Sequence, residues 1–246
     1  MTESKRQQPK QQPPPVQWLA LRYCKRGRAR FTSHQDFSRA FERALRRAGV
    51  PMAYSSGYSP HPRISFANAS ATGAATEADY LEIGLAERRD PAEVAAALTA
   101  ALPDGMAILD AVESTGRGLG ERLTASHWRV EFSGPSLPDA EAAVAAFLAA
   151  DAVEVERLTK NGMRRFDARG PVLALRVTGD GLFELWLAHR VPLVRPDDVV
   201  AALSSVGAPF QLDASALHTR LSQGVWRDGV VVGPFEDAAR GGGESS

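Results

Sequence analysis

Cysteine is nearly missing from this sequence, with Cys24 the only one. A single thiol excludes an intrachain disulfide framework, and it falls short of the thiolate sets of iron–sulfur clusters and of many structural zinc sites. Long hydrophobic runs are also missing: no stretch of about 18 apolar residues occurs, so no transmembrane helix is expected. The first residues are polar and rich in Pro and Gln, with no apolar stretch leading to a small-residue cleavage site, which makes a cytoplasmic protein the expectation. No P-loop, dinucleotide glycine fingerprint, zinc-protease helix or nucleophile elbow is present. No acidic cluster stands near His34 or His61, so the donor set is poor for a divalent ion and no metal is expected.

What is present is an ordinary globular composition with an uneven charge distribution. The chain has 246 residues, 44% hydrophobic and 24% charged, enough for one large or two small cores. Its formal net charge is zero. Between Arg22 and Arg63, however, ten Lys/Arg stand against Asp36 and Glu42, a local balance of +8. The preceding tail adds +2 and residues 64–246 carry −10. A segment polarised in this way can hold a positive potential inside a neutral protein and favours anionic partners, nucleic acid among them. The plainer alternative is a solvated helix face.

Residues 1–15 and 234–246 read as disordered tails. Between them strand-like runs alternate with amphipathic helices, which indicates an α+β protein. In residues 16–113 strands are expected at 17–24, 53–68 (with a turn), 80–85 and 106–112, and helices from Ser33 to Ala48 and over 91–102. After a glycine-rich joint at 114–120, expected to be flexible, the order recurs in residues 121–233. Strands are expected there at 128–132, 153–159, 173–177 and 183–188, helices at 138–150 and 196–206, and a partly extended closing segment at 211–221. The economical fold is two tandem ferredoxin-like β-α-β-β-α-β domains.

The chemistry-bearing residues concentrate in the basic segment. Ser33 caps a helix with Asp36 in the acidic position of a capping box. Phe37, Ala40, Phe41, Ala44, Leu45 and Ala48 form its buried stripe, leaving Arg39, Arg43, Arg46 and Arg47 as a ridge on the other face. His34 lies in the first turn, where free N–H groups and the positive dipole end offer a phosphate seat together with Ser33 and Arg30. His61 is set between Pro60 and Pro62, which stiffen its loop. Tyr54 and Tyr58 beside Arg63 suit base stacking with phosphate contact. Lys160, Arg164 and Arg165 form a second basic turn, with Asn161-Gly162 marking a hairpin. Each has an ordinary reading too: His34 as a helix-entry residue, His61 as a turn residue, the tyrosines as core aromatics, and the second turn as a simple cap on two strands.

The run FTSHQDFSRAFERALRRAGVPMAYSSGYSPHPRISFA, followed by TEADYLEIGL, resembles the bacterial radical SAM-linked protein family, a domain of unknown function found beside or fused to radical SAM proteins. The Ser-His-x-Asp helix entry, the Arg-Arg-Ala-Gly exit and the Pro-His-Pro-Arg loop carry the likeness. Gln35, Phe37, Tyr58 and Ser59 depart from the usual leucines, phenylalanine and asparagine. The resemblance implies an accessory protein acting in trans with a radical SAM enzyme, the partner supplying the S-adenosylmethionine and iron–sulfur chemistry while this chain binds no cofactor. Three functions stay open. The first is an RNA-binding, substrate-presenting accessory. The second is a metal-independent ribonuclease or RNA-modifying enzyme, with His34 and His61 as catalytic candidates. The third is a protein-only adaptor docking on an acidic face of the partner.

Overall fold

The computed structural model describes residues 11–160, 162–206 and 210–236. Its first strand, β1 (Gln17–Lys25), is buried along most of its length and leads through a short 3₁₀ turn, Gly27–Phe31, to helix α1 (His34–Arg47). Strands β2 (Ile64–Ala67) and β3 (Ala75–Leu85), helix α2 (Pro91–Ala101) and strand β4 (Met106–Ser114) complete the first half. The second half runs β5 (Ala125–Glu131), α3 (Leu137–Ala149), β6 (Glu154–Thr159), β7 (Gly162–Asp167), β8 (Val172–Gly179), β9 (Leu182–Ala188), α4 (Pro196–Leu203), β10 (Leu217–Arg227) and β11 (Val230–Val232).

This is a mixed α+β protein built on one large, mostly antiparallel sheet. The main path across it is β4-β1-β3-β10-β5-β9-β8, with β2 on β3 and β11 on β10. The halves join where β3 and β10 run parallel, at Ala75–Thr219 and Thr76–Arg220. The row Lys25, Thr76, Arg220, Trp128 therefore crosses from one half to the other on a single face of the sheet. α1 and α2 cover that face in the first half, over a core of Leu19, Leu21, Phe37, Phe41, Leu81 and Ile83. α3 and α4 cover it in the second, over Trp128, Val130, Phe147, Phe183, Leu185 and Phe210. On the opposite face of the first half Leu119 and Leu123 pack on Ala20, Ala67, Ala78 and Tyr80.

Several expectations change. Of the strand expected within 53–68, only Ile64–Ala67 is a strand, because the Pro60-His61-Pro62 run removes ladder donors; the remainder is a loop closed by isolated bridges. The joint at 114–120 is packed, since a Cβ on Gly116 would lie 2.4 Å from the Trp18 ring. The closing segment, expected at 211–221, is a strand from Leu217 that runs on to Arg227; within that extension Gln223 is fully buried and donates to the Ala78 carbonyl. β6 and β7 pair only with each other, as a two-stranded sheet beside the main one.

Parts of both expected tails are held to the body. The Gln12 N–H donates to Ser56 Oγ at 2.9 Å, and Pro15 lies over Gly84, where a Cβ would come within 2.8 Å of it. Phe235 meets Tyr80 edge-on at 5.4 Å. Residues 1–10 and 237–246 of those tails, and Asn161 of the expected hairpin turn, lie outside the described residues.

Candidate functional site

α1 begins where Ser33 Oγ accepts the Asp36 N–H at 3.2 Å while the Ser33 hydroxyl donates to the Asp36 carboxylate at 2.7 Å. It ends at Gly49, whose φ of +64° lets Val50 N–H reach the Leu45 carbonyl and Gly49 N–H the Arg46 carbonyl. Phe37, Ala40, Phe41, Ala44 and Leu45 are buried, with Phe37 stacked on Tyr23 at 4.5 Å. That burial fixes the rotation of the helix, so Arg39, Arg43, Arg46 and Arg47 all face outward and are exposed. Arg39 lies 4.0 Å from Asp36 and Arg46 3.9 Å from Glu42, whereas Arg43 and Arg47 make no ion pair among the described residues.

His34 is exposed at the first position of α1 with its ring edge-on to Phe66 of β2, 4.7 Å between centroids. His61 is exposed on the loop that precedes β2, and that loop is stapled. Ser55 N–H donates to the His61 carbonyl at 2.8 Å, His61 N–H donates to Ser55 Oγ at 3.0 Å, and Tyr54 bridges Pro62. Tyr58 at its tip is 78% exposed and Tyr54 41%, so neither is a core aromatic. Arg63 is half-buried, its backbone tied to Ala53 and Gly84. His34 meets β2 near its end and His61 precedes its start; no ring contact or hydrogen bond joins the two.

The remaining cations of the basic segment divide. Lys25 is 4% exposed, and burial lowers the pKa of its ammonium group, so it adds nothing to a surface patch. Arg26 is clamped by the Glu77 carboxylate, Nε to Oε1 at 2.7 Å, and Arg22 faces Asp110 at 4.0 Å. Arg30 lies over the Phe31 ring at 4.6 Å, and its carbonyl accepts from Gly73. In the β6–β7 hairpin Arg165 pairs with Glu156 at 2.7 Å and Glu154 at 3.7 Å, while Lys160 and Arg164 are exposed. Arg157, directly opposite Arg164, turns inward to Asp198 at 2.7 Å.

A second feature escapes the sequence reading. A cavity of about 120 Å³ opens on the helical face at the seam between the halves. It is lined by Trp128, His218 and Arg220 from the sheet, by Ala69, Ala71 and Ala74 from the segment between β2 and β3, and by His189, Leu193 and Asp197. Arg220 lies over the Trp128 ring at 4.7 Å and donates to Asp79 at 3.0 Å and to the Asn68 carbonyl at 2.7 Å. His189 is held by the Leu123 carbonyl at 2.6 Å and Ser126 Oγ at 3.0 Å, and burial lowers its pKa. Burial likewise lowers the pKa of His218, against the opposing pull of Asp197. The signal was hard to see because these residues lie about 150 positions apart, from Asn68 to Arg220. The Arg30 carbonyl accepts from Gly73 N–H, in the loop that carries Ala71 and Ala74.

Among the described residues no group of three or more His, Cys, Asp or Glu is placed to hold a metal ion, and no helix is long and apolar enough to cross a membrane. Residues 19–196 match the model of a family described as an uncharacterized protein conserved in bacteria, DUF2344. The chain belongs to that family. The span matched by DUF2344 holds the whole arginine ridge, the His61 loop and the alanine wall of the cavity, whereas His218 and Arg220 lie beyond it. A comparison with curated proteins found no match.

Proposed function

We propose that this DUF2344 chain is an accessory protein that binds RNA and presents it to a radical SAM enzyme. The observation that carries the RNA part is the α1 ridge: four arginines on one exposed helix face, two of them without an ion-pair partner among the described residues; a stapled loop elsewhere in the same basic segment leaves Tyr54 and Tyr58 exposed. Guanidinium groups take phosphates, and exposed aromatic rings on a stiff loop take unpaired bases at a smaller entropic cost. The radical SAM partner rests on the sequence resemblance, and it would supply the iron–sulfur and S-adenosylmethionine chemistry that a chain with one buried cysteine does not.

In the same reading each half is a ferredoxin-like unit. Strand order supports this, since β4-β1-β3-β2 in the first half repeats as β10-β5-β9-β8 in the second, with the β6–β7 hairpin as an insertion. The test is fluorescence anisotropy of the full chain with single-stranded RNA. Binding is expected to weaken at least tenfold in the Arg43→Ala, Arg47→Ala double variant, and an unchanged affinity overturns the proposal. Co-purification with a radical SAM protein that survives nuclease treatment, with no RNA recovered by crosslinking, would assign the ridge to a protein partner instead.

A further inference from the structure

A buried acid lies on the face of the first half opposite α1 and α2. Glu82 of β3 stands between Ala20 of β1 and Ser65 of β2, and because side chains alternate along a strand it shares the face of Ala78 and Tyr80, not that of Leu81 and Ile83. It is 4% exposed. The Ser114 hydroxyl donates to its Oε1, and Gly116 N–H donates to the same Ser114 oxygen at 3.0 Å. Among the described residues Oε2 accepts no hydrogen bond and the carboxyl group has no ion-pair partner. Oε2 is nevertheless not sealed from solvent.

Glu82 keeps that contact on the wall of a cavity of about 290 Å³, close to the lower end of the roughly 300–1,000 Å³ of small-molecule sites. The cavity is lined by Ser65 and Asn68 at β2 and by residues 116–120 of the glycine-rich joint. The joint is fixed there: Gly116, at φ +72°, lies against the Trp18 ring, and Leu119 is buried with Ala20 and Ala67. Arg117 supplies the positive charge of the lining. It is exposed and pairs with no acid among the described residues.

These groups describe the ligand. A buried carboxylate with no cation beside it is costly, and an ammonium group brought by a ligand removes that cost. Glu82 is the single carboxylate of the lining, too few oxygen ligands for a calcium or magnesium ion. An ammonium group has three N–H donors, enough for Oε2 and for the hydroxyl of Ser65, which is exposed directly opposite Glu82 across the strand pair. Arg117 repels a second positive end and attracts an anionic one.

We infer that this cavity binds a small zwitterion of the amino-acid type, its primary ammonium group on Glu82 Oε2 and its carboxylate at Arg117. The site lies on the other face of the sheet from α1, so it stands whether or not the arginine ridge takes RNA.

The test is NMR titration of the isotope-labelled full chain with straight-chain amino acids from glycine to ω-aminohexanoate, followed at the Gly116, Arg117 and Gly118 amides. At least one of the series is expected to shift these signals saturably. Its N-trimethyl derivative, which keeps the charge and has no N–H, is expected to bind roughly tenfold more weakly. Glu82→Gln retains an acceptor for Ser114 and is expected to lose binding by a similar factor with the fold intact. Arg117→Ala, at an exposed position, is expected to weaken the amino acid several-fold and to leave the alkylamine of the same length unaffected. The inference is overturned if no member of the series gives a saturable shift, or if the trimethyl derivative or Glu82→Gln binds at full affinity. Should Glu82→Gln fail to fold, Arg117→Ala decides, and an unchanged amino-acid affinity in that variant overturns the zwitterion assignment.

Discussion

Asp79 in the first half and Arg220 in the second form an ion pair across the seam, Oδ1 to Nη1 at 3.0 Å, with the Asp79 side chain 0% and the Arg220 side chain 7% exposed. Asp79 also accepts from Ser70 N–H and Oγ and from Thr76 Oγ1, so the carboxylate is held by several donors at once. Two charges out of water are costly, and removing one strands the other. Asp79→Ala and Arg220→Leu are each expected to destabilise the fold by about 3–5 kcal/mol. The double variant is expected to lose less than the sum of the two, because no orphaned charge is left behind. Urea unfolding of the three variants measures the coupling. Additive losses would show that the pair does not join the halves energetically.

A second prediction concerns the closing strand. A Cβ on Gly224 would lie 1.8 Å from the Val232 carbonyl oxygen, so Gly224 lets the end of β11 pass close against β10. Gly224→Ala is expected to push β11 off and expose Val232, which is 5% exposed in the intact fold. The comparison is Gly229→Ala, where the added atom meets nothing within 4 Å and the strain comes only from φ of +83°. Hydrogen exchange at 225–232 should quicken far more in the first variant than in the second.

A third concerns pH. His127, His189 and His218 all have pKa values lowered from 6.5, in each case chiefly by burial. In the unfolded chain they return to about 6.5 and bind protons more readily than in the fold. Their contribution to stability is therefore full at high pH and is lost as pH falls below about 6.5. The melting temperature is expected to drop between about pH 7.5 and pH 5. His189→Gln should flatten part of that dependence, and an identical slope in this variant would rule His189 out as a source of it.

The α1 stripe was legible from sequence because a 3.6-residue period at Phe37, Phe41, Ala44 and Leu45 needs no tertiary information, and its burial then dictated where Arg43 and Arg47 point. Lys25 was misread for the opposite reason. Charge counting places it in the basic segment, but it ends β1 opposite Thr76, which itself pairs with Arg220 of the second half, and it is buried there. The seam cavity was invisible for the same cause. The β3–β10 pairing brings Ala75 beside Thr219, and no local pattern predicts which strand will take that edge. Gln223 lies past the expected end of the closing segment at 221, and its burial depends on a bond to Ala78 of the first half that no local pattern predicts.

The last prediction separates the four ridge arginines. Arg39 and Arg46 lie near Asp36 and Glu42, at 4.0 Å and 3.9 Å, and must partly give up those neighbours to reach a phosphate. Arg43 and Arg47 have no such competitor among the described residues. For single strands, log affinity falls with log salt by about 0.7 for each phosphate neutralised. Arg43→Ala, Arg47→Ala is therefore expected to reduce the salt slope of RNA binding by roughly 1.4, and Arg39→Ala, Arg46→Ala by clearly less. If both double variants leave the slope at its original value, the ridge is a solvated helix face and the anionic partner lies elsewhere. If the slope falls equally in both, the neighbouring carboxylates exert no hold on Arg39 and Arg46, and all four arginines meet phosphate alike.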